Sequence, residues 1–247
     1  MAERYGVVGK NIGYSLSPSL FEERARRFGI DARYEIFDLP RAVDLVSLFH
    51  LPGLKGFNVT IPYKRAIIPY LDTLSKEAQA TGVVNTVKYE NGKWKGYNTD
   101  VYGFEKSLEA FVPIRIDKAL IAGNGATAQS IRYVLERRGV EVTILSRRKS
   151  PGVYTYDEAD FRVPASHPLI INTTPLGGAQ FPGRKPPLPY EGLGPFHYLM
   201  DVHYHPPVTP FLEEGLRRGA QVKNGRAMLV FQARKSFEIW TGIPADR

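Results

Sequence analysis

The 247-residue sequence contains no cysteine. Disulfide bonds, thiolate catalysis and cysteine-ligated zinc or iron–sulfur sites are therefore excluded, and the absence fits a reducing compartment. The chain also lacks a run of about 18 apolar residues, the least that spans a bilayer, and its N-terminus lacks the apolar core of a signal peptide. We expect a cytoplasmic protein with no membrane partner.

Basic residues exceed acidic ones, with 33 lysines and arginines against 25 aspartates and glutamates, for a formal net charge of +8. Such an excess is compatible with nucleic acid, an anionic membrane surface or a small anionic ligand. The basic residues form only short clusters, and none of the usual nucleic-acid recognition motifs accompanies them. For most of them the simplest interpretation is a solvated helix face, and we expect no nucleic-acid partner.

Strand-like and helix-like segments alternate along the chain without an internal repeat, which is typical of α/β proteins. The first part of the chain predicts strands at 5–8, 33–37 and 56–61, and helices after residue 17 and around 42–49. Ser17 suits the N-cap of the first helix and Pro18 its first position, so the hydroxyls of Ser15 and Ser17 would lie above a helix N-terminus. Two hydroxyl groups there could serve an anionic ligand.

The segment 83–100 predicts a β-hairpin around Asn91-Gly92, because this dipeptide strongly favours a two-residue turn. With such a loop, residue 90 opposes residue 93 and residue 85 opposes residue 98. The period of two then places Asn85, Asn98 and Asp100 on one face. This face is either solvated or part of a binding site, and the segment alone favours neither interpretation.

Residues 118–148 predict a strand, a glycine turn, a helix and a second strand. The turn at 123–128 fits the pattern G-x-G-x-x-A, whose missing side chains let the backbone approach a pyrophosphate at a helix N-terminus. After the second strand, where NAD-binding proteins have Asp or Glu, this chain has Ser146, Arg147 and Arg148. Guanidinium groups suit the 2′-phosphate of NADP. We favour an NADP site over an unliganded turn and a solvated basic loop.

The remaining apolar segments complete this pattern. Further strands are predicted at 169–171, 198–202 and 221–223, and a last helix at 228–240 in which Phe237 and Trp240 are core residues. His203 and His205 alternate in a way that could bind a metal, but the sequence suggests no third ligand. We therefore expect no metal site.

Several motifs, in their order and spacing, resemble the shikimate dehydrogenase family. They are SLSP at 15–18, NVTIPYK at 58–64, VNT at 84–86, GYNTD at 96–100, the glycine turn, NTTP at 172–175, DVHYHP at 201–206 and NGRAMLVFQA at 224–233. No single motif is decisive, but together they cover about residues 5–242. The resemblance implies an α/β protein with an N-terminal substrate domain and a Rossmann-type NADP-binding domain, and an active site in the cleft between them.

The resemblance also implies a division of the chain and a set of substrate contacts. Residues 1–100 with 225–247 would form the substrate-binding and catalytic domain, and 101–224 the NADP-binding domain. Ser15 and Ser17 match the serines that bind the substrate carboxylate. Thr60, Asn85, Asp100 and Gln232 match residues that bind the ring hydroxyls, and Tyr204 matches a tyrosine near substrate and nicotinamide. The implied reaction is the reversible NADPH-dependent reduction of 3-dehydroshikimate to shikimate in aromatic amino-acid (chorismate) biosynthesis.

A cofactor site for NADP(H) is implied by the same comparison of motifs. Its residues are Gly123, Asn124, Gly125, Ala126, Thr127, Ala128, Ser146, Arg147, Arg148, Thr173 and Gly225. Gly178 stands where methionine is typical of the family, so the nicotinamide pocket is expected to have a different shape. The sequence leaves the oligomeric state open between monomer and homodimer.

The expected catalytic pair is Lys64 and Asp100. Hydride added to a ketone carbon leaves negative charge on oxygen, which a lysine ammonium can stabilise and protonate. Asp100 would hold Lys64 in place and in its charged form. The alternatives are a quinate/shikimate dehydrogenase with relaxed cofactor use, and a noncatalytic NADP-binding regulatory homologue. Serines at both 15 and 17 favour shikimate, and the intact Lys64 and Asp100 favour an enzyme.

Overall fold

The structure is a computed structural model that describes residues 3–247. The strands are β1 Glu3–Gly9, β2 Ala32–Asp38, β3 Gly56–Val59, β4 Thr73–Leu74, β5 Thr86–Glu90, β6 Lys93–Tyr97, β7 Lys118–Ala122, β8 Glu141–Ser146, β9 Tyr154–Thr155, β10 Leu169–Asn172, β11 Tyr198–Asp201 and β12 Gln221–Lys223. The helices are α1 Ser17–Phe28, α2 Lys76–Thr81, α3 Thr99–Glu109, α4 Ala126–Arg137, α5 Arg162–Ala165, α6 Pro210–Arg217 and α7 Arg226–Thr241. Short 3-10 helices lie at Ala42–His50, Ile68–Tyr70, Tyr156–Glu158 and Tyr190–Gly192.

The chain divides into two compact units. One contains the residues up to Gly103 together with Val230–Arg247, and the other contains Phe104–Leu229. The division falls inside α3 and α7, so each of these helices begins in one unit and ends in the other. The functional boundaries expected from the motifs, 1–100 with 225–247 against 101–224, stay a prediction.

The first unit contains a six-stranded mixed sheet with the order β2-β1-β3-β5-β6-β4. β1 is parallel to β2 and β3, whereas β5 is antiparallel to β3 and β6. In the β5–β6 hairpin Glu90 opposes Lys93, as the two-residue turn predicts. Asn91 and Gly92 both have positive φ, 54° and 76°, which identifies a type I′ turn. The predicted hairpin and its register are confirmed.

An aromatic core joins the last helix to this sheet. Phe237 and Trp240 of α7 lie against Phe21 of α1, with ring centroids 5.4 and 5.9 Å away. The Trp240 indole donates a hydrogen bond to the carbonyl oxygen of Val87 at 2.9 Å. A side chain at Gly56 would lie 2.4 Å from this indole nitrogen, so glycine is required there. The expectation that Phe237 and Trp240 are core residues is confirmed by exposures of 1% and 7%.

The second unit contains a six-stranded sheet with all strands parallel and the order β12-β11-β10-β7-β8-β9. Counted from β7, this is the order 3-2-1-4-5-6 of the Rossmann fold, which reverses direction between β7 and β10. The apolar stripe of α4 is completely buried, and it consists of Ala128, Ile131, Val134 and Leu135. The α/β class, with a mixed N-terminal sheet and a Rossmann-type sheet, is confirmed.

Two local predictions differ from the structure. The segment Ala42–His50 is a 3-10 helix, in which Leu45 and Leu48 are buried while Val43 and Val46 are exposed. Leu45 and Leu48 are three residues apart, and a 3-10 helix has three residues per turn, so both side chains lie on the same, buried face of the helix. At α1, Leu16 is the N-cap and Ser17 already belongs to the helix, one position from the prediction.

None of the helices within residues 3–247 has the length and apolar composition of a membrane span. The 16 residues of α7 extend only about 24 Å at 1.5 Å per residue, less than the roughly 30 Å of a bilayer core.

Candidate active site

Lys64 and Asp100 form a buried ion pair in the first unit. The Lys64 ammonium Nζ donates to Asp100 Oδ2 at 2.5 Å, and the two side chains are 12% and 6% exposed. Lys64 lies in the turn after β3, where its carbonyl oxygen accepts from the backbone amide of Val84 at 2.8 Å. Charges so poorly solvated interact more strongly than at the surface, so each holds the other in position.

Asp100 is held in place by its position in a helix, by its backbone amide and by its carboxylate. It lies in the first turn of α3, where the helix dipole favours a negative charge. Asn98 precedes this helix and its Oδ1 accepts from the backbone amide of Asp100 at 3.2 Å, as an N-cap does. The other carboxylate oxygen, Oδ1, is not bonded to Lys64 and accepts a hydrogen bond from Asn85 Nδ2 at 2.9 Å. The lysine is therefore presented by a carboxylate that has little freedom to rotate.

A network of buried polar groups continues from Asn85. Asn85 Oδ1 accepts from the Thr99 amide at 2.7 Å, and Asn85 Nδ2 donates to Gln232 Oε1 at 3.4 Å. Ser236, one turn further along α7, lies within hydrogen-bonding distance of Thr86 and Thr99, with Oγ–Oγ1 distances of 2.8 and 3.1 Å. Gln232 and Ser236 of the last helix thus connect to the Lys64–Asp100 pair through Asn85 and Thr99.

Ser17 connects to the other end of this network. Its side chain is hydrogen-bonded to Tyr34, whose pKa burial raises far above its usual value while the Ser17 contact lowers it to a smaller extent. The Tyr34 hydroxyl therefore stays protonated, and it donates to Asn58 Oδ1 at 2.7 Å. Asn58 Nδ2 donates to Ser236 Oγ at 2.9 Å. Two expected site regions, the α1 serines and the lysine pair, are joined by hydrogen bonds.

The other residues expected near the substrate have defined positions too. Ser15 accepts from the Ser17 amide through its Oγ at 3.3 Å, and both serines are half-buried. Thr60 follows β3 and donates its amide to the Val8 carbonyl at 2.8 Å. Tyr204 belongs to the second unit and is half-buried. The first unit alone brings together Lys64, Asp100, Asn85 and Gln232.

The hairpin alternation does not explain why Asp100 reaches Asn85. We expected Asn85, Asn98 and Asp100 on one strand face, but β6 ends at Tyr97 and Asp100 is helical. Asn98 instead caps α3, and its Nδ2 donates to Thr81 Oγ1 at 2.9 Å. The contact arises because the chain turns into a helix that starts over the end of the hairpin.

The glycine turn of the second unit packs closely against Thr173, the residue that follows β10. Gly123 has a φ of +106°, and a side chain there would lie 2.6 Å from Thr173 Oγ1. Thr173 in turn donates its hydroxyl and its amide to the Ala122 carbonyl, both at 2.8 Å. At Gly125, by contrast, a side chain would meet open space. A ligand can therefore approach the backbone at this position.

The N-terminus of α4 suits an anion. Gly125 is its N-cap and contributes no side chain, and the first turn contains no acidic residue. Thr127 lies half-buried in this turn, and Ala128 is buried against the sheet. Asn124 accepts from Gln129 Nε2 through its Oδ1 at 2.6 Å, which holds its side chain against the helix. Backbone N–H groups and the helix dipole then favour a phosphate here.

The basic residues after β8 differ in their pairing. Ser146 ends the strand half-buried, and Lys149 forms an ion pair with Glu158. Arg147 and Arg148 are exposed and pair with no acidic side chain in residues 3–247. Two guanidinium groups therefore remain available where the ribose of a dinucleotide is expected, and the residues present fit the 2′-phosphate of NADP.

The carboxyl ends of β10 and β11 carry a second polar cluster. The buried Asp201 carboxylate accepts from Asn172 Nδ2 at 3.0 Å, Thr209 Oγ1 at 2.7 Å and His203 Nδ1 at 2.8 Å. Gly225 lies beside this cluster, where a side chain would meet the Val202 carbonyl oxygen at 2.1 Å. Within the described chain, no three acidic, histidine or cysteine side chains are grouped to hold a metal ion.

Comparisons with known proteins agree with this geometry. Residues 7–87 match the shikimate dehydrogenase substrate-binding domain, and residues 225–247 match the shikimate 5′-dehydrogenase C-terminal domain. A shikimate dehydrogenase (NADP(+)) of Methanococcus maripaludis is 35% identical over 98% of this chain and 92% of its own length. The chain belongs to the shikimate dehydrogenase family. It is thereby an enzyme of the oxidoreductase class, as expected.

Solved structures of the shikimate dehydrogenase family have the same fold. The enzyme of Aquifex aeolicus superposes with a TM-score of 0.90 at 32% identity, covering 99% of this chain and 95% of that one. The Thermus thermophilus enzyme, in complex with NADP(H) and shikimate, has a TM-score of 0.88 at 30% identity, with coverages of 98% and 94%. A quinate dehydrogenase of Corynebacterium glutamicum, in complex with NAD, has a TM-score of 0.83 at 26% identity, with coverages of 98% and 94%.

Sequence reasoning missed several buried residues that form hydrogen bonds with one another and with the expected site residues. Asn58, Thr86, Thr99 and Ser236 are buried and hydrogen-bonded in the first unit, and Tyr34 extends the network to Ser17. One signal was present in the sequence, since Ser236 follows Gln232 by four positions and so lies on the same face of a helix.

Proposed function

We propose that this chain catalyses the reversible NADPH-dependent reduction of 3-dehydroshikimate to shikimate. The observation that carries the proposal is the buried Lys64–Asp100 pair, whose second carboxylate oxygen is held by Asn85. A noncatalytic binding protein has no need of such a pair, because burying two charges costs solvation energy. Family membership supplies the substrate class.

The proton chemistry follows from the pair. NADPH, when bound, supplies the hydride that adds to the ketone carbon. The Lys64 ammonium stabilises the charge that develops on the carbonyl oxygen and transfers one proton to it, which gives the alcohol. Asp100 keeps the ammonium directed through its 2.5 Å hydrogen bond, and solvent restores the proton to Lys64. In the reverse direction neutral Lys64 accepts the hydroxyl proton.

Substrate orientation is assigned to polar groups around the pair. Ser15 and Ser17 would bind the carboxylate, and Thr60, Asn85 and Gln232 the ring hydroxyls. The Ser17 hydroxyl is already directed to Tyr34, so substrate binding would exchange this hydrogen bond for one to the carboxylate. The expected active-site cleft and a cytoplasmic location stay predictions from the sequence.

NADP is the proposed cofactor because Arg147 and Arg148 have no acidic partner within residues 3–247 and no carboxylate directly follows β8 to bind a ribose hydroxyl. Relatives crystallised with NAD make a direct comparison of the two cofactors necessary.

The test is the appearance of NADPH absorbance when purified protein is mixed with shikimate and NADP⁺, with quinate and NAD⁺ in parallel reactions. We expect turnover with shikimate and NADP⁺ that Lys64→Met lowers by about 10²-fold or more, the scale of one general acid–base group. Lys88→Met is the matched control, since Lys88 pairs with Glu90 at the surface. Turnover of quinate alone would assign the chain to quinate dehydrogenases, and NADPH binding without turnover would contradict the enzymatic proposal.

A further inference from the structure

His203 is held rigidly at the carboxyl edge of the Rossmann-type sheet, two residues after the end of β11. Asp201 Oδ1 accepts from the His203 backbone amide at 2.9 Å and from its ring Nδ1 at 2.8 Å. The other carboxylate oxygen accepts from Asn172 and Thr209. All four acceptor positions of this buried carboxylate are therefore used, two of them by His203, one through its backbone amide and one through its ring.

The tautomer of the ring follows from this contact. A carboxylate oxygen accepts hydrogen bonds, so Nδ1 is the nitrogen that donates, and in the tautomer with its proton on Nδ1 the other nitrogen, Nε2, presents a lone pair. Nε2 makes no hydrogen bond to any group in residues 3–247, and the side chain is 21% exposed. A directed acceptor is thus available to a ligand at the sheet edge.

The backbone beneath the ring is shaped to receive it. A side chain at the buried Gly178 would lie 2.2 Å from His203 Cδ2 and 2.5 Å from its Nε2. Only glycine leaves room for the imidazole in this orientation. Gly178 follows β10, which borders the reversal between β7 and β10, and such a reversal is where ligands bind in open α/β sheets.

The position of His203 along the sheet indicates which part of a dinucleotide would lie near its ring. Arg147 and Arg148 follow β8, on the far side of β7 from β10, and suit the adenosine phosphate. The turn at Gly123 and Gly125 follows β7 and suits the pyrophosphate. His203 follows β11, on the opposite side of the turn, where the nicotinamide half would extend. The carboxamide of nicotinamide carries the N–H donors that a neutral Nε2 needs.

We propose that His203 Nε2 accepts a hydrogen bond from the nicotinamide carboxamide, and that Gly178 is glycine because the imidazole occupies the space of a side chain. The inference rests on the proposed dinucleotide-binding function and names one contact of that site. Asp201 is a positioning residue, since it acts through the ring.

Binding of defined ligands to the full chain tests the contact by isothermal titration calorimetry. For His203→Ala we expect Kd for NADP⁺ to rise about threefold to tenfold, the usual effect of one neutral hydrogen bond. Kd for adenosine 2′,5′-bisphosphate, which lacks the nicotinamide half, should not change. The 3-acetylpyridine analogue of NADP⁺ has no amide N–H, so the variant and the unmodified chain should bind it equally.

Two further variants separate the hydrogen bond from a general disturbance. Gly178→Ala should displace the ring and weaken NADP⁺ binding to a similar extent, without affecting the bisphosphate. His205→Ala is the matched control, because His205 is exposed and two positions away. It should bind all three ligands normally.

Unchanged NADP⁺ binding by His203→Ala would overturn the inference. Equal losses of affinity for NADP⁺ and for the bisphosphate would also overturn the inference, because they would indicate a structural role of His203. Equal losses of affinity for NADP⁺ and for the acetylpyridine analogue would overturn it as well. Failure of the unmodified chain to bind NADP⁺ would instead refute the dinucleotide function itself, so the two failures are distinguishable.

Discussion

Replacing Ser236 or Ser107 with alanine makes the same chemical change at two completely buried helix positions, and we expect opposite effects on stability. Ser236 Oγ contacts Asn58, Thr86 and Thr99 and donates to the Gln232 carbonyl at 3.0 Å. Ser107 Oγ is buried without a hydrogen-bond partner in residues 3–247.

The magnitudes follow from these contacts. Ser236→Ala leaves neighbouring polar groups short of a partner, which costs about 1–3 kcal/mol, while alanine's higher helix propensity returns about 0.5 kcal/mol. Ser107→Ala removes a hydroxyl whose burial is uncompensated, so it should stabilise the chain by about 1 kcal/mol. For a chain of this length 1 kcal/mol corresponds to about 2–4 °C in Tm. The net loss of about 0.5–2.5 kcal/mol means that Ser236→Ala should melt roughly 1–10 °C lower, and Ser107→Ala should melt roughly 2–4 °C higher.

Thermal melting followed by circular dichroism measures both shifts, and shikimate turnover below the transition measures the effect on the site. Because Thr99 contacts both Ser236 and Asn85, Ser236→Ala should also lower kcat. Shifts of the same sign in the two variants would refute the assignment of the polar network as a stabilising element. So would a Ser236→Ala protein as stable as the unmodified chain.

Three other predictions concern the second unit. Gly123→Ala should lower Tm by several degrees, because the φ of +106° at this residue and the 2.6 Å approach of Thr173 exclude a side chain. Gly125→Ala should leave Tm unchanged and weaken only the binding of NADPH, which fluorescence measures. Combined replacement of Arg147 and Arg148 by alanine should raise Kd for NADP⁺ by about 10-fold to 100-fold without affecting NAD⁺, as calorimetry can check, and equal losses for both cofactors would contradict the 2′-phosphate assignment. Burial lowers the pKa of His167, so as the pH falls the unfolded chain binds a proton at this residue before the folded chain does, and the free energy of unfolding should decrease below about pH 6.5. In urea unfolding, His167→Asn should lose less stability over this pH range than the unmodified chain. An identical loss would be evidence against this contribution.

The regular parts of the fold were predictable because their signals are local. The Asn91-Gly92 turn fixes the hairpin register by itself, and the glycine turn at 123–128 is bounded by a strand and a helix with clear periodicity. Lys64 and Asp100 were identified by resemblance, and the structure brings them to 2.5 Å. Their catalytic roles stay predictions.

The remaining features depend on contacts between distant segments. Ser236 reaches Asn58 across 178 positions of sequence, and no local pattern indicates which helix face will meet which strand. The hairpin alternation predicts a strand face that continues to Asp100, whereas β6 ends at Tyr97 and α3 begins at Thr99. Asn98 followed by Thr99 and Asp100 is an N-terminal helix signal that favours the observed structure.

The division of the chain inside α3 and α7 has a consequence for its synthesis. The first unit includes Val230–Arg247, which are synthesised after the whole of the second unit, and Trp240 closes its core against Gly56 and Val87. The N-terminal sheet therefore cannot complete its core until the residues up to Leu229 have been synthesised, by which point the second unit has all of its residues. Removal of the segment around Trp240 should damage the sheet that is synthesised first.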